Sequence, residues 1–265
     1  MARALAHAGA GTMRRMTESP SLPTVLVPGL LASPRLFSEQ IPELWRLGPV
    51  TVAVHTQDES IAAIAHRILE TAPQRFALAG LSMGGYICFE ILRQAPQRIT
   101  KLVLLDTSAR ADTPEQSTQR RTQIELAQSG RLGEVADTLF PRLVHARRWG
   151  DESLRRICRA MVQEVGAEGF IRQQTAIIGR PDSRPGLAAI RCPTLVIVGD
   201  GDVLTPPERA EEIAKAIPGS RLAIIRDSGH LSTLEQPSAV AKAMVEFLRP
   251  AATGGSQGGG SKESI

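Results

Sequence analysis

Ser82 lies at the centre of the string Gly80-Leu81-Ser82-Met83-Gly84, which has the form G-x-S-x-G. An apolar run over residues 76–79 precedes the string, and the run that follows it is compatible with a helix. In such a setting a sharp strand-to-helix turn exposes the serine hydroxyl near a helix N-terminus, where the helix dipole favours negative charge. The glycines leave room for the strand and the helix to approach each other. The string therefore predicts a nucleophilic serine.

A serine hydroxyl needs a neighbouring base, and histidine is the usual base near neutral pH. His230 follows the apolar run 221–225 after a short loop, and Gly229 allows the chain to turn so that the ring points toward the serine. It is the predicted base. Among the other histidines only His55, directly after the run 50–54, is a candidate to line a ligand crevice.

A carboxylate is expected to orient the histidine and to stabilise its charged form without taking the proton. Asp200 and Asp202 lie on one loop after the run 194–198. Asp202 is farther beyond the strand end, where a loop can reach the ring, so it is the predicted acid, and Asp200 is expected to shape the loop. Asp106, directly after the run 101–105, is the alternative acid.

Acyl transfer also needs two N–H donors aimed at the oxygen of the tetrahedral intermediate. The residue after the nucleophile, Met83, offers its backbone N–H as the first donor. The second is expected from the loop after the run 24–27. There Pro28 has no N–H and Gly29 permits close approach, so Leu30 is the predicted donor. The alternative is a plain Pro-Gly turn.

The elements that must position these residues can be predicted from runs rich in Val, Ile and Leu that alternate with longer helical stretches. The predicted strands are 24–27, 50–54, 75–79, 101–105, 194–198 and 221–225, and the predicted helices are 60–70, 84–94, 207–217 and 237–248. Near-continuous apolar runs are typical of parallel strands buried on both faces. The alternation predicts an α/β fold with a doubly wound, mostly parallel sheet.

The alternation stops between residues 105 and 192, where no strand is predicted. The string Thr113-Pro114-Glu115-Gln116 has the form of a capping box with proline at the first helical position. Helical stretches are expected to end near Gly130, Pro141, Gly166 and Gly179. We therefore predict an all-helical insertion that covers the crevice at the carboxyl ends of the strands as a lid.

These observations divide the chain into a core, residues 23–108 and 191–250, and the helical insertion, residues 109–190. Residues 1–22, which are rich in Ala, Gly and Arg, are expected to form a disordered leader. Residues 251–265 are rich in Gly and Ser and are expected to form a flexible tail.

The chain has 265 residues and a formal net charge of +4, which is unevenly distributed. The insertion holds 13 arginines against 10 acidic residues, whereas the rest of the chain holds 18 basic and 17 acidic residues. Aromatic residues make up only 3%, and no Lys/Arg run reaches the length of a nucleic-acid tract, so nucleic-acid binding is not expected. Arg147, Arg148 and Arg172 are candidates for pairing with a substrate carboxylate, the alternative being a solvated surface.

Three separated cysteines, Cys88, Cys158 and Cys192, form neither a disulfide framework nor a CxxC metal motif. They are expected to be core residues of a protein in a reducing compartment. No apolar stretch approaches the roughly 18 residues of a membrane span, and the N-terminus lacks the apolar core of a secretory signal. The sequence predicts a soluble, cytoplasmic protein without a membrane partner.

With these blocks in this order, residues 23–249 resemble the α/β-hydrolase superfamily. Pro28-Gly29-Leu30-Leu31, the serine string, Asp202 and Gly229-His230 carry the resemblance. The segments 180–185 and 229–237 are similar to the branch that contains small carboxylesterases and 3-oxoadipate enol-lactone hydrolases. One departure is that Pro28-Gly29 replaces the usual His-Gly. Serine at position 82, where dehalogenases and epoxide hydrolases of this fold carry aspartate, argues against those two chemistries.

The leading hypothesis is hydrolysis of small carboxylic esters through an acyl-serine, without a metal or organic cofactor. An alternative keeps the triad but acts on an enol-lactone or on a C–C bond next to a ketone in anionic products of aromatic breakdown. A third is a non-catalytic ligand receptor, since a fold does not determine function. A small-molecule ester or lactone is the expected partner, and the protein is expected to be a monomer or a homodimer.

Overall fold

The computed structural model describes residues 21–249 of the chain. The predicted leader, except for its last two residues, and the whole predicted tail lie outside these residues. Six strands are present in the described part: β1 Thr24–Val27, β2 Val50–Val52, β3 Phe76–Leu81, β4 Ile99–Leu105, β5 Thr194–Gly199 and β6 Arg221–Ile225. Every neighbouring pair is parallel, and the spatial order is β2-β1-β3-β4-β5-β6.

Nine α-helices accompany these strands within residues 21–249: α1 Gln40–Trp45, α2 Ile61–Thr71, α3 Met83–Gln94, α4 Pro114–Gln128, α5 Leu132–Leu143, α6 Glu152–Ile178, α7 Pro207–Ala216, α8 Ser232–Glu235 and α9 Pro237–Leu248. Short 3-10 turns occur at Pro34–Phe37, Pro96–Arg98, Ala146–Arg148 and Arg184–Ala189. None of the helices in this part of the chain combines the length and apolar character needed to cross a membrane.

The sheet is covered by helices on both faces, because alternate residues of each strand point to opposite sides. In β3, Phe76 and Leu78 pack on one side with α2, α3 and α7. Ala77 and Ala79 pack on the other side with α1 and α9. Burial on both faces explains the nearly continuous apolar sequences of β1, β3 and β5, whose residues are all buried. The predicted doubly wound parallel sheet is confirmed.

The chain between β4 and β5 contains helices and no strand, as predicted. At the start of α4, the Thr113 side chain accepts from the backbone of Gln116 and the Gln116 side chain accepts from the backbone of Thr113, so the predicted capping box is present. Helix α5 ends at Leu143, two residues after Pro141 and so near the predicted end. At Gly166 the backbone leaves the helical conformation, with φ 69° and ψ 172°, so α6 consists of two helical segments that meet at this glycine, near the predicted end.

Candidate active site

Ser82 occupies the single residue between the end of β3 and the start of α3. Its φ of 56° and ψ of −114° lie outside the regions that a serine ordinarily adopts. Close packing enforces this turn: a Cβ on Gly84 would lie 2.0 Å from the carbonyl oxygen of Val27, and a Cβ on Gly80 would lie 2.4 Å from the backbone of Gly84. The local sequence therefore lifts the half-buried hydroxyl above the carboxyl edge of the sheet.

His230 and Asp202 meet Ser82 at this edge, on the loops that follow β6 and β5. The Nε2 atom of His230 lies 2.8 Å from the hydroxyl oxygen of Ser82. Its Nδ1 atom lies 2.8 Å from Oδ2 of Asp202. Both side chains are almost completely buried. The three predicted catalytic residues thus form one continuous chain of hydrogen bonds, although 148 residues separate the serine from the histidine.

Asp202 is held by its own loop as well as by the histidine. Its Oδ1 accepts from the backbone N–H of Leu204 at 2.8 Å and of Thr205 at 3.0 Å, and the Thr205 hydroxyl donates to Oδ2 at 2.6 Å. Burial alone would raise the pKa of Asp202, but the charge of His230 and hydrogen bonds from His230 and Thr205 hold that pKa below its usual value. The aspartate is therefore an anion that is oriented before any substrate binds.

The pKa of His230 shifts in the opposite direction. Burial alone would lower it, but the charge of Asp202 and the hydrogen bond to that carboxylate raise the pKa of His230 above its usual value. The site consequently favours an imidazolium ion once the ring has taken a proton. This is the electrostatic property that a general base next to a serine requires.

Asp106, the alternative acid, is buried beside the triad without touching the imidazole. Its Oδ1 accepts from the N–H of Gly199 at 2.9 Å, and its Oδ2 accepts from the hydroxyl of Ser232. Burial and the nearby charge of Asp202 raise the pKa of Asp106 to about 8. Asp106 thus connects Gly199, at the start of the loop that carries Asp202, with Ser232, which follows His230 by two positions.

The predicted oxyanion residues lie beside the serine. A Cβ on Gly29 would be 3.3 Å from the Cβ of Ser82, and Gly29, Leu30 and Ser82 line the same cavity. Met83 is the first residue of α3, so its N–H has no acceptor within the helix. Within the described range, neither this N–H nor that of Leu30 donates to another protein group. Two backbone donors are therefore available next to the nucleophile.

A cavity of about 490 Å³ opens over Ser82 and His230. The sheet edge forms its floor, and residues from α4, α5 and α6 form much of its walls. The charged residues that line the cavity are mostly basic, with two aspartates, Asp112 and Asp137, against seven arginines. The arginines are Arg110, Arg120, Arg142, Arg155, Arg159, Arg180 and Arg209. Most of these arginines are paired with carboxylates, but Arg142 and Arg209 form no salt bridge or side-chain hydrogen bond with the described residues.

The three arginines singled out in the sequence do not line this cavity in the described part of the chain. Arg147 pairs with Asp227 at the surface, and Arg148 contacts Asp151. Arg172 donates from Nε to the carbonyl of Thr56 at 2.8 Å. The prediction that they pair with a substrate carboxylate in this cavity is corrected: Arg147 and Arg148 lie in the turn after α5, and Arg172 is directed to the loop at Thr56.

His55 lies near the site but outside the cavity lining. Its ring is buried, with Nε2 2.9 Å from the carbonyl oxygen of Gly29 and 2.9 Å from Nε2 of Gln173. Burial lowers the pKa of His55 to about 4, so the ring is neutral at neutral pH. The prediction that it lines a ligand crevice is therefore corrected: His55 contacts the loop at Gly29 rather than the cavity.

Sequence reasoning missed two residues that shape the site. Thr205, three positions after Asp202, donates to the aspartate, and a threonine so close to a loop acid is a local signal that could have been used. Gln173 in α6 accepts from the N–H of Leu31 at 3.1 Å. No local signal marks Gln173, because 142 residues separate the two partners.

The fold and the site together define a hydrolase of the α/β type, and the chain belongs to the Alpha/beta hydrolase family, whose profile matches residues 24–243. Among its relatives is a protein of Mycobacterium tuberculosis named as a non-heme bromoperoxidase, 30% identical over 68% of this chain and 70% of the relative. No group of three or more potential metal-ligating side chains occurs within residues 21–249.

Two solved structures share the whole architecture. A thermophilic esterase from Thermogutta terrifontis is 32% identical, with a TM-score of 0.78 over 86% of this chain and 89% of that one. An enol-lactonase from Burkholderia xenovorans LB400 is 26% identical, with a TM-score of 0.78 over 87% of this chain and 92% of that one. This chain is thus similar both to an esterase and to an enol-lactonase.

Proposed function

We propose that this protein is a serine hydrolase that cleaves carboxylic esters of small molecules. The observation that carries the proposal is the unbroken sequence of hydrogen bonds from Ser82 through His230 to Asp202 at the floor of a cavity. Similarity to an esterase supports the same reaction class. The relatives are named for different activities, so their names do not show which substrate this protein cleaves. The proposal therefore depends on the geometry of Ser82, His230 and Asp202.

In the proposed reaction, His230 Nε2 removes the proton of the Ser82 hydroxyl while the serine oxygen attacks the ester carbonyl. The backbone N–H groups of Leu30 and Met83 donate to the resulting oxyanion. His230 then returns the proton to the leaving alcohol, and an acyl-serine remains. Water, activated by the same ring, releases the acid. Asp202 keeps the ring in the tautomer whose Nε2 can accept the serine proton.

The helical insertion, residues 109–190, is proposed to act as the lid over the core formed by residues 23–108 and 191–250. Its helices supply cavity walls from both α5 and α6, including Phe140, Leu143 and Met161. Exclusion of water by such walls strengthens the hydrogen bonds that stabilise the oxyanion.

The decisive experiment compares Ser82→Ala with Ser108→Ala, because both serines line the cavity but only Ser82 contacts His230. For a short activated ester we expect Ser82→Ala to lower kcat by about 10⁶-fold, the effect typical of losing the serine of such a triad. A serine-directed phosphonate should add its mass to Ser82 alone. Full turnover by Ser82→Ala, or the absence of a covalent adduct at Ser82, would contradict the proposal.

A second candidate keeps the triad and assigns it to an anionic substrate, such as an enol-lactone that carries a carboxylate. Seven arginines and two acidic residues line the cavity, and Arg142 and Arg209 have no carboxylate partner among residues 21–249. An arginine fork pairs well with a carboxylate. The similarity to an enol-lactonase supports this candidate.

A further inference from the structure

The loop that carries the proposed oxyanion donor, Pro28-Gly29-Leu30-Leu31, is held from outside by two buried side chains. We propose that His55 and Gln173 position this oxyanion loop, so that helix α6 of the insertion controls the placement of the Leu30 N–H. This inference rests on the proposed function, because the position of the Leu30 N–H matters only if an oxyanion forms during the reaction.

The contacts flank Leu30 on both sides. The N–H of Leu31 donates to Oε1 of Gln173 at 3.1 Å. The carbonyl oxygen of Gly29 lies 2.9 Å from Nε2 of His55, and that same nitrogen lies 2.9 Å from Nε2 of Gln173. The peptide groups before and after Leu30 are thus tied to one side-chain pair, while the N–H of Leu30 itself remains free for a ligand.

Both side chains are buried, with exposed fractions of 3% for His55 and 0% for Gln173. Because the ring is neutral, its Nε2 makes one of the two bonds in each tautomer: with a proton it donates to the Gly29 carbonyl, and without one it accepts from the Gln173 amide. The bond from the Leu31 N–H to Gln173 is present in both tautomers. The carbonyl of Gly29 also accepts from the N–H of Ala32 at 3.2 Å, but among the described residues the N–H of Leu31 has Gln173 as its only acceptor. Removal of either residue would leave buried polar groups unpaired and would favour displacement of the loop.

The second half of α6 is built to hold this position. After the bend at Gly166, Arg172 donates to the carbonyl of Thr56, the residue after His55. A Cβ on Gly169 would lie 3.3 Å from the Cβ of Thr56, so the helix and this strand-end loop are in close contact. Phe170, fully buried, packs in one cluster with Leu31. Helix α6 therefore contacts both the loop that carries His55 and the loop that carries Leu30.

A small displacement of the loop would change the rate of the chemical step more than it would change the affinity for the substrate. An oxyanion donor acts at roughly 2.7–3.1 Å from the oxygen in the transition state, and removal of one donor costs about 10²- to 10³-fold in kcat. A misplaced Leu30 N–H should therefore lower kcat and leave KM nearly unchanged. A partial loss of folded protein would also lower the apparent kcat at constant KM, so the test needs a ratio between two substrates, which does not depend on the amount of active enzyme.

The experiment compares Gln173→Leu with Gln174→Leu. The two glutamines are adjacent in α6 and equally buried, but Gln174 contacts Arg120 and Gln123 instead of the oxyanion loop. Each variant is assayed with an activated ester and with the matching thionoester, in which sulfur replaces the carbonyl oxygen. Because sulfur is a weak hydrogen-bond acceptor, the thionoester gains little from the N–H donors, and the ratio of the two kcat/KM values reports on the oxyanion hole.

We expect Gln173→Leu to lower kcat for the ester by about 10- to 100-fold, to leave KM nearly constant and to reduce the ester-to-thionoester ratio. Gln174→Leu should keep the ratio of the unaltered protein. His55→Gln, which can place an amide nitrogen where Nε2 lies, should retain a larger ratio than His55→Phe. The melting temperature of each variant shows whether it is folded.

Should Gln173→Leu not fold, the comparison of His55→Gln with His55→Phe carries the test by itself. An unchanged ratio in the folded variants, with Ser82→Ala inactive, overturns the positioning role and leaves the proposed function intact. An equal fall of the ratio in Gln174→Leu also overturns it. An active Ser82→Ala variant removes the proposed function, and the positioning role with it.

Discussion

The carboxyl edge of the sheet and the helical insertion meet at one cavity, but they position their polar residues by different means. At the carboxyl ends of the strands, Ser82, Asp202 and His230 each follow a parallel strand within a few residues. In the insertion, the direction of each arginine depends on the rotation and the bending of a helix. Arg147, Arg148 and Arg172 point away from the cavity, whereas Arg142, in the last turn of α5, lines it.

The difference teaches that short-range rules work where the backbone is tightly constrained. The turn at Ser82 permits one conformation, since a Cβ at Gly80 or Gly84 would collide with neighbouring backbone. A surface helix offers no comparable constraint, because any of its faces can carry arginine at little cost. Function at the sheet edge can thus be inferred from sequence patterns, and specificity in the insertion requires the packed structure.

The largest expected effect tests the sheet edge. Asp202→Asn should lower kcat by about 10⁴-fold, because an amide in place of the carboxylate stabilises the wrong tautomer of the histidine. Asp106→Asn should cost less than about tenfold, since a carboxyl with a pKa of about 8 is mostly neutral at pH 7 and the amide leaves an acceptor for Gly199 and a donor for Ser232. Steady-state kinetics with one activated ester measure both. Equal losses in the two variants would show that Asp106 also serves the ring.

The prediction of intermediate size concerns His55, which lies where the sheet-end loops meet helix α6 of the insertion. The pKa of His55 is about 4 in the folded protein and near 6.5 when unfolded, so the unfolded state binds more protons between these pH values. This contribution to stability is therefore lost as the pH falls from 6.5 to 4. At about 1.4 kcal/mol per pH unit, the loss reaches roughly 3 kcal/mol.

The measurement is urea unfolding of the unaltered protein and of His55→Gln at pH 7 and pH 4. The stability advantage of the unaltered protein should shrink by this amount at the lower pH, because glutamine does not titrate. A constant difference between the two proteins would mean that the ring is not buried in its neutral form.

The smallest expected effect tests the insertion side of the cavity. For an ester that carries a carboxylate, the double variant Arg142→Gln/Arg209→Gln should raise KM by about tenfold, because a charge-assisted contact contributes about 1.5 kcal/mol. The matched control Arg147→Gln/Arg148→Gln removes the same charge outside the cavity. Kinetics at two salt concentrations with neutral and anionic esters complete the comparison. Equal effects of both double variants would indicate long-range attraction instead of direct pairing.

Much of the fold was predictable because the parallel sheet is buried on both faces. Continuous apolar runs located all six strands to within two residues at either end. The break in α6 was predictable as well, because Gly166 has a φ of 69° and a ψ of 172°, which glycine adopts readily. The sequence did not show that the segment after this break packs against Leu31 through Phe170.

For the candidate site, the sequence by itself determined the residue types, their order and their places after strands, since strand, turn and helix preferences act over a few residues. Only the tertiary structure decided which carboxylate reaches the imidazole, which arginines face the cavity and which side chains hold the oxyanion loop. Asp106 and Asp202 both follow strands, and only the loop geometry brings Asp202 to Nδ1. Gln173 meets Leu31 across 142 residues of chain, and contacts of that range exist only after the helices pack on the sheet.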